Sequence, residues 1–358
     1  MTLDTLIVEL AAARHLSDEQ ARLAVEQIVD EKVPAALKAD FLCHLALKGE
    51  TVEEIAAFAR ALREKSIAPP LDPAWRNTHE ILDVCGTGGD RLNTFNISTT
   101  VAIICAAAGV PVAKHGNRAV TSQAGSADVL EALGIKIDLT PEEAAHSLRE
   151  KNFAFFFAPN YHPAFRHIGP ARKLCAGRGQ RTIFNFLGPL LNPALPGAQL
   201  VGVPRPELCE PLAQVLQSLG ARRGMVVSGK VPRPKSEAQT SSDSVSYLDE
   251  LSTLGENMVA EFYQERGFAT STLDAGHFPL QPAALADLAG GNRQENAEII
   301  RRILRGEDRG PKRDAVLLNA AAGLFVANRA RTLGEGWDRA AELIDGGNAA
   351  KKLADLAD

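Results

Sequence analysis

The chain has 358 residues, of which 45% are apolar and 23% charged, and its net charge is −5. This length is sufficient for one large or two moderate domains. The acidic balance excludes an overall positive footprint for nucleic acid. The five cysteines are scattered and form no CxxC pair, which argues against disulfides and a zinc site and favours a reducing cytoplasm. The first twenty residues are typical of a helix rather than a signal peptide, and no apolar stretch is long enough to cross a bilayer. We therefore expect a cytoplasmic protein that binds neither nucleic acid nor membrane.

The first part of the chain is predicted to be entirely helical. Apolar residues recur at helical spacing as far as about residue 66. Ser17 with Gln20 and Thr51 with Glu54 form capping-box patterns ahead of two such stretches. The prolines of IAPPLDP then break the periodicity and mark a linker. We expect a helical domain over residues 1–70 and an α/β domain over residues 75–358.

Beyond the linker, predicted strands alternate with predicted helices. Apolar runs predict strands at residues 81–85, 110–114, 153–157, 199–203 and 225–227. Helices are predicted at 98–108 with Ser98 as the cap, at about 127–133 with Ser126 as the cap, and after a capping box at Thr140. This alternation predicts an α/β fold with a mainly parallel sheet and helices on both faces.

The remainder of the α/β region contains one insert and two clear helices. Residues 229–246 are polar, serine-rich and proline-bearing, and are typical of a mobile surface loop. The segments ENAEIIRRILRG and DAVLLNAAAGLFVAN follow as helices at 295–306 and 314–328.

A glycine-rich segment follows the first predicted strand. Residues 86–90, GTGGD, lie at the carboxyl end of a parallel strand, where open α/β sheets bind ligands. Residues 96–99, NIST, begin a predicted helix, and backbone amides at such a start suit a phosphate. The spacing differs from the dinucleotide and P-loop fingerprints. A glycine turn with an ordinary helix cap is the alternative interpretation. Asp90 favours a ligand with a sugar hydroxyl or a metal, because a carboxylate beside phosphate is otherwise repulsive.

The second predicted strand ends in KHGNR, residues 114–118. Two cations and an amide at a strand's carboxyl end suit a phosphorylated sugar and a polar acceptor. A solvated basic turn is the alternative for this segment alone. Three polar clusters at successive strand ends favour the ligand site.

Several of these segments together resemble one family. DVCGTGGD, NIST, KHGNRAVTSQAGSADVLEALG, RTIFNFLGPLLNPA, LDELS and GPKRDAVLLNAAAGLFVA resemble the signature segments of the anthranilate phosphoribosyltransferases, and occur in the family order. The resemblance extends from about residue 1 to residue 330. It implies transfer of the 5-phosphoribosyl group from 5-phosphoribosyl 1-diphosphate (PRPP) to anthranilate, in tryptophan biosynthesis.

The resemblance also implies an architecture. A small helical domain joins a larger α/β domain, as in the two-domain nucleoside phosphorylase and phosphoribosyltransferase fold, and the substrates bind in the cleft between them. A segment near 165–190 is expected to join the helical domain. A homodimer formed largely through the helical domain is implied as well.

The resemblance assigns most of the candidate site residues. The residues implied for PRPP are Gly86, Gly89, Asp90, Thr94, Asn96, Ile97, Ser98, Thr99, Lys114, His115, Gly116, Asn117, Arg118, Ala119, Val120, Thr121, Ser122 and Ser126. The residues implied for anthranilate are Gly86, Asn117 and Arg172. The residues implied for magnesium, expected as two ions, are Ser98, Asp249 and Glu250. Diphosphate is a highly charged leaving group, and Mg²⁺ needs only one or two protein carboxylates beside phosphate oxygens. A solvated turn is the alternative for two adjacent acids.

The acceptor is an aromatic ring that carries an amine and a carboxylate, and it needs an apolar wall and one cation. Pro159, His162 and Phe165 follow the strand at 153–157 and supply rings and a rigid turn. Arg172 on the next predicted helix can pair with the carboxylate. The alternative is that the rings belong to the core and the arginine to the surface. We expect a dissociative displacement that relies on positioning and electrostatics, and assign no acid or base.

Two other functions remain open on the sequence, and three segments depart from the family pattern. A pyrimidine nucleoside phosphorylase shares the fold, and a non-enzymatic relative could bind nucleic acid. The intact donor motifs and the negative charge favour the transferase. Gln123 and Ala124 replace the usual Lys-Ser pair, residues 174–180 form a longer connection, and 229–246 is an insertion.

Overall fold

The computed structural model describes residues 1–119, 123–232, 245–264 and 267–358. The N-terminal helices are α1 (Leu3–Ala11), α2 (Asp18–Val29), α3 (Ala35–Lys48) and α4 (Val52–Arg63). Both predicted capping boxes are confirmed. Ser17 Oγ accepts a hydrogen bond from Gln20 N at 3.2 Å, and Thr51 Oγ1 accepts one from Glu54 N at 3.2 Å. These bonds satisfy amide groups that have no partner within a helix's first turn.

The rest of the chain alternates strands and helices as predicted. Its strands are β1 (Leu82–Gly86), β2 (Val112–Gly116), β3 (Phe153–Phe157), β4 (Ala198–Gly202), β5 (Arg223–Pro232), β6 (Val245–Leu248), β7 (Glu256–Tyr263) and β8 (Gly267–Asp274). Its helices are α5 (Pro73–Thr78), α6 (Ile97–Ala107), α7 (Ser126–Ala132), α8 (Pro141–Lys151), α9 (Ala158–Tyr161), α10 (Gly169–Gly177), α11 (Cys209–Ser218), α12 (Arg293–Leu304), α13 (Pro311–Val326), α14 (Leu333–Asp345) and α15 (Asn348–Ala357). Within the described residues, no helix is both long and apolar enough to cross a membrane.

The strands form one mixed sheet in the order β3-β2-β1-β4-β5-β7-β8, with β6 paired to β5. The five strands from β3 to β5 are parallel, and β6, β7 and β8 pair antiparallel. Buried cores lie on both faces of the sheet, one under α6 and α12–α15 and the other under α11 and the N-terminal helices. The predicted α/β fold with a helical domain and a mainly parallel sheet is therefore confirmed.

The antiparallel strands were not predicted. β8 is an edge strand whose residues are largely exposed, so its sequence lacks the apolar run by which the parallel strands were recognised. The predicted surface loop at 229–246 was wrong at both ends, because residues 229–232 belong to β5 and residues 245–246 to β6. The middle of that insert, 233–244, lies outside the described residues.

Two predicted helix caps were wrong, whereas the third was confirmed. α6 begins at Ile97 with Asn96 at the cap position, so Ser98 lies inside the first turn. α7 begins at Ser126 itself, and the Asp128 carboxylate accepts from the Gly125 amide ahead of it at 3.0 Å. Thr140 caps α8 as predicted. Neither serine makes a capping bond. Ser98 Oγ accepts from Lys114 Nζ, and Ser126 Oγ donates to the Asn117 carbonyl.

A segment of the α/β region packs on the N-terminal helices. Ile168, Ala171 and Cys175 share a buried core with α1–α4, as do apolar residues between Ile183 and Leu191. These residues fall largely within the segment near 165–190 that was predicted to join the helical domain. The segment also carries Arg172, so the helical unit and the sheet edge both determine the position of this arginine.

Candidate active site

The polar segments that were predicted to lie together do so at one edge of the sheet. β1 and β4 end side by side, with Gly86 paired to Gly202, and β2 ends at Gly116, beside Phe157 of β3. The glycine-rich segment follows β1, the basic segment ends β2, and the acid pair follows β6. Parallel strands present their carboxyl ends at the same edge, so the glycine-rich and basic segments lie side by side. β6 runs antiparallel to β5, with Leu248 opposite Gly229, and brings the acid pair to the same edge.

The acid pair packs directly on the end of β1. Asp249 Oδ2 accepts a hydrogen bond from Gly88 N at 2.6 Å, and the Asp90 carboxylate lies close enough to raise the pKa of Asp249. A Cβ atom at Gly86 would lie 2.1 Å from Asp249 Oδ2, and one at Gly202 would lie 1.6 Å from the Asp249 carbonyl oxygen. Both positions therefore require glycine. Gly202 was not identified from the sequence, because nothing local marks it.

Three carboxylates meet in this small volume, and their charges repel. Burial raises the pKa of Asp249 well above its usual range, and the neighbouring Asp90 and Glu250 act in the same direction. Burial also raises the pKa of Glu250 to about 7, against the opposing effect of the Lys114 ammonium. A cation that joined these groups would relieve the repulsion.

The donor set fits a hard divalent cation. Its atoms are the carboxylate oxygens of the acid pair, Asp249 and Glu250, together with the hydroxyl of the neighbouring Ser98. In the described part of the chain, no three His, Cys, Asp or Glu side chains form a ready metal cage. Mg²⁺ does not need one, because it binds through one or two carboxylates and completes its shell with water and phosphate oxygens.

Lys114 places a positive charge beside the acid pair. Its side chain is buried, and Nζ donates to the Val84 carbonyl oxygen at 2.7 Å and to Ser98 Oγ at 3.2 Å. Burial lowers the pKa of this ammonium, while Asp83 and Glu250 oppose that effect. Ser98 thus lies between the lysine and the acid pair, which brings the β1, β2 and β6 segments into contact.

The rest of the 94–99 segment offers mainly backbone groups. Ile97 and Thr99 are buried, so the α6 N-terminus presents their amides rather than their side chains to a ligand. Thr94 pairs with Ala289 in an isolated bridge. Asn96 Nδ2 donates to the Ala124 carbonyl at 3.4 Å, although its buried Oδ1 atom has no partner among the described residues.

In the basic segment, Arg118 is already paired with carboxylates, whereas Asn117 is exposed. The Arg118 guanidinium bonds Asp128 Oδ1 at 3.0 Å and Glu131 Oε2 at 2.6 Å, so two carboxylates already neutralise its charge. Asn117 is exposed, and its carbonyl accepts from Ser126 Oγ at 3.4 Å. Ala119 donates its amide to Asp128. Three other predicted donor residues, Val120, Thr121 and Ser122, lie outside the described residues.

A row of rings leads from β2 to Arg172. His115 Nε2 and His162 Nε2 are 3.1 Å apart, so one imidazole donates to the other. The His162 ring stacks on Phe165 at 5.1 Å between centroids, and Phe165 contacts Phe184 edge-on at 5.8 Å. The Arg172 guanidinium lies 5.6 Å from the Phe184 centroid.

The predicted acceptor residues His162, Phe165 and Arg172 are therefore in one row, and Phe184 is a member that the sequence did not reveal. Pro159 is exposed on α9, and no contact in the described structure links it to the row. Burial lowers the pKa of His115 to about 3 and that of His162 to about 4, so both imidazoles are neutral at physiological pH.

Comparison with known proteins bears on this geometry. The helical bundle domain of a glycosyl transferase family matches residues 4–66, and the α/β domain of the same family matches residues 78–350. The anthranilate phosphoribosyltransferase of Petrotoga mobilis is 45% identical over 350 residues, covering 98% of this chain and 94% of the relative. That of Symbiobacterium thermophilum is 44% identical over 353 residues, covering 97% and 95%. The chain belongs to the anthranilate phosphoribosyltransferase family.

Solved structures of this phosphoribosyltransferase family agree with the fold. The Thermus thermophilus enzyme superposes with a TM-score of 0.84 at 40% identity and covers 98% of both chains. The Saccharomyces cerevisiae enzyme in complex with PRPP and Mg superposes at 0.81 with 26% identity, covering 99% of this chain and 97% of that one.

Membership in the family decides the activity. The chain transfers the 5-phosphoribosyl group of PRPP to anthranilate, with release of diphosphate, in tryptophan biosynthesis. These relatives lend no support to the phosphorylase or the nucleic-acid-binding alternative.

The buried imidazoles predict an acid sensitivity of the fold. Between pH 6.5 and about pH 4, the unfolded chain protonates His162 whereas the folded chain does not, so the free energy of unfolding falls as the pH falls through this window. His162 alone should lower it by about 2 kcal/mol at pH 5 relative to pH 7. The variant His162→Gln should show a smaller fall between these pH values, measured by urea unfolding. His146→Gln, at an exposed position on α8, should keep the wild-type fall. An equal pH dependence in both variants would contradict the assignment.

Proposed function

We propose that the transfer takes place at the ends of β1 and β2, with PRPP and magnesium on the side of the acid pair and anthranilate on the side of the ring row. The observation that carries this proposal is the contact of Asp249 with Gly88 N, which joins the acid pair to the glycine-rich segment. The yeast relative was solved with PRPP and Mg, and also with 4-fluoroanthranilate. We infer that this chain binds the same classes of ligand.

The donor's diphosphate would be held by backbone amides and one ammonium. Gly88 and Gly89 have positive φ angles of 76° and 90°, which turn their backbone in a way that suits a close anion. The α6 N-terminus adds further amides, and Lys114 adds a positive charge. Magnesium, proposed as two ions on Ser98, Asp249 and Glu250 with Asp90 close by, would neutralise the charge that develops on the leaving diphosphate. This arrangement stabilises the departing group rather than the intact donor.

The acceptor would lie along the ring row. Arg172 would pair with the anthranilate carboxylate, while His162 and Phe165 would provide an apolar wall for its ring. Asn117, exposed at the end of β2, would hydrogen-bond the acceptor between the two sides. The amine is nucleophilic without deprotonation and can lose its proton afterwards, so we assign no general base.

The oligomeric state and the cellular location of the chain are proposed from separate features. Val8, Leu47 and Leu174 are 63%, 72% and 42% exposed on α1, α3 and α10. Helix α3 packs against both α1 and α10, so these side chains belong to one group of helices, and we propose the homodimer through it that the family resemblance implies. All five cysteines are free thiols in the structure, which supports our proposal of a cytoplasmic enzyme.

The metal proposal predicts a specific loss of activity. The wild-type chain should consume anthranilate, measured as a loss of its fluorescence, only when PRPP and Mg²⁺ are both present. Replacing the pair, Asp249→Asn with Glu250→Gln, should lower turnover about 100-fold or more and raise the Mg²⁺ concentration needed for half-maximal rate, because oxygen ligands for the cation are lost. Glu256→Gln, an exposed acid nearby in sequence, should behave as wild type. Unaltered magnesium dependence in the double variant would show that the ions bind elsewhere.

The acceptor proposal predicts a selective change in affinity. Arg172→Ala should raise the KM for anthranilate about tenfold or more, because a charge-assisted hydrogen bond to the carboxylate is removed. The KM for PRPP should remain near the wild-type value. Lys173→Ala removes an exposed cation one residue away and serves as the matched control. An unchanged KM for anthranilate in Arg172→Ala would exclude the carboxylate contact.

The dimer proposal predicts a change in mass. Light scattering of the purified chain should give twice the 38.2 kDa of one chain. Leu47→Glu should shift the population toward monomer, because it places a charge in the proposed apolar interface. Leu195→Glu, at an exposed leucine in a loop of the α/β region, should leave the mass unchanged. A wild-type chain that is monomeric at all concentrations would refute the interface.

A further inference from the structure

The segment that carries the acid pair has no regular structure of its own. Residues 249–255 connect β6 to β7, and within them Leu251 and Ser252 are fully buried. Buried backbone groups outside a helix or sheet need hydrogen-bond partners, since an unpaired buried group destabilises the fold. Two fully buried asparagine side chains, Asn319 and Asn257, supply those partners.

Asn319 holds Leu251, the residue that follows the acid pair. Its Oδ1 atom accepts from Leu251 N at 2.9 Å, and its Nδ2 atom donates to the Leu251 carbonyl oxygen at 2.9 Å. Nδ2 also donates to the Ala315 carbonyl one turn earlier in α13, at 2.9 Å. Asparagine is a poor residue for the middle of a buried helix, so the contact with Leu251 compensates for an unfavourable local choice.

Asn257, at the start of β7, holds the next residue in the same way. Its Oδ1 atom accepts from Ser252 N at 2.7 Å, and Nδ2 donates to the Ser252 carbonyl oxygen at 3.0 Å. Nδ2 also lies 3.3 Å from the Leu273 carbonyl oxygen of β8. Two consecutive residues therefore have both of their backbone polar groups bound by side-chain amides from two different elements.

The opposite side of the segment is confined by strand ends. Gly202 leaves no room for a Cβ atom beside the Asp249 carbonyl, and a Cβ atom at Gly229 would lie 2.5 Å from the Glu250 carbonyl oxygen. The backbone of the acid pair is thus pressed on β4 and β5 while the asparagines hold the two residues after it. Rotation of this backbone would move the carboxylates away from Gly88 and Ser98, which they contact.

We propose that Asn319 and Asn257 are positioning residues that hold the Asp249–Glu250 backbone in the conformation that binds the divalent cation. The inference rests on the proposed metal role of that pair. The asparagines touch neither substrate nor cation, and they act by lowering the cost of ordering the carboxylates against their mutual repulsion.

The experiment compares three alanine variants of buried asparagines. Asn319→Ala and Asn257→Ala remove the proposed support. Asn296→Ala is the matched control, because Asn296 makes the same pair of bonds to a different loop residue, accepting from Gly291 N at 2.9 Å and donating to its carbonyl oxygen at 3.0 Å. Mn²⁺ replaces Mg²⁺ as the probe. Its free concentration is measured by electron paramagnetic resonance at fixed PRPP, so that complexation by the donor is common to all samples.

We expect Asn319→Ala and Asn257→Ala each to weaken Mn²⁺ binding about tenfold, in line with other residues that orient metal ligands. The KM for anthranilate should not change in either variant. Asn296→Ala should lose a comparable amount of thermal stability with wild-type Mn²⁺ affinity. Wild-type affinity in the Asn319 and Asn257 variants, or an equal loss in Asn296→Ala, would overturn the inference.

Two further samples keep the outcomes separable. Where Asn319→Ala does not fold, Asn257→Ala and the smaller change Asn319→Ser carry the same expectation. The double variant Asp249→Asn with Glu250→Gln is measured beside them. Wild-type Mn²⁺ affinity in that variant would refute the metal site itself, and the positioning role with it. A loss there without a loss in the asparagine variants would refute the positioning role alone.

Discussion

The carboxylate of Asp249 reaches the amide of Gly88 from 161 residues further along the chain. The contact exists because Gly86 and Gly202, paired at the ends of β1 and β4, have no side chains to exclude the acid-bearing segment. A methyl group at either position would overlap Asp249. The sheet register therefore determines where the acids lie, and the acids determine which residues the strand ends can tolerate.

In the proposed binding mode, this arrangement places negative charge where a negatively charged substrate would bind. Burial raises the pKa values of Asp249 and Glu250, and repulsion among Asp90, Asp249 and Glu250 acts in the same direction. Lys114 offsets part of this effect at Glu250. A divalent cation bound here would relieve the repulsion, and the donor's diphosphate would supply oxygens that complete the cation's shell. Cation and donor would then favour each other's binding, which is a form of coupling that needs no movement of the fold.

Local features of this structure were predictable from the sequence, because local interactions cause them. The capping boxes at Ser17, Thr51 and Thr140 involve residues three apart, and FAFFF is a strand at the bounds its letters suggest. The glycine-rich and basic segments were recognisable for a similar reason, since each is a short run at the end of one strand, whereas the acid pair was assigned by its resemblance to the family.

Other features depend on contacts between distant elements and have no local signal. Phe184 joins the ring row only because residues 165–191 fold back on the helical unit. Ser98 was expected to cap α6, but its hydroxyl oxygen accepts a hydrogen bond from Lys114 of β2, and the cap residue is Asn96. The helical pattern of α13 revealed a helix, whereas the reason for an asparagine in its middle lies 68 residues away at Leu251.

The end of β2 contacts both sides of the proposed site. Consecutive residues of a strand point to opposite faces of the sheet. Lys114 accordingly bonds Val84 and Ser98 on the side of the acid pair, while His115 bonds His162 and the Gly188 carbonyl on the side of the ring row. Their β3 partners, Phe155 and Phe156, likewise enter different cores. A slip of one residue in this register would exchange the ammonium and the imidazole between the two proposed half-sites. In the proposed arrangement, the alternation of one short strand would separate donor from acceptor. His115, which the resemblance implied for the donor, contacts the ring row instead.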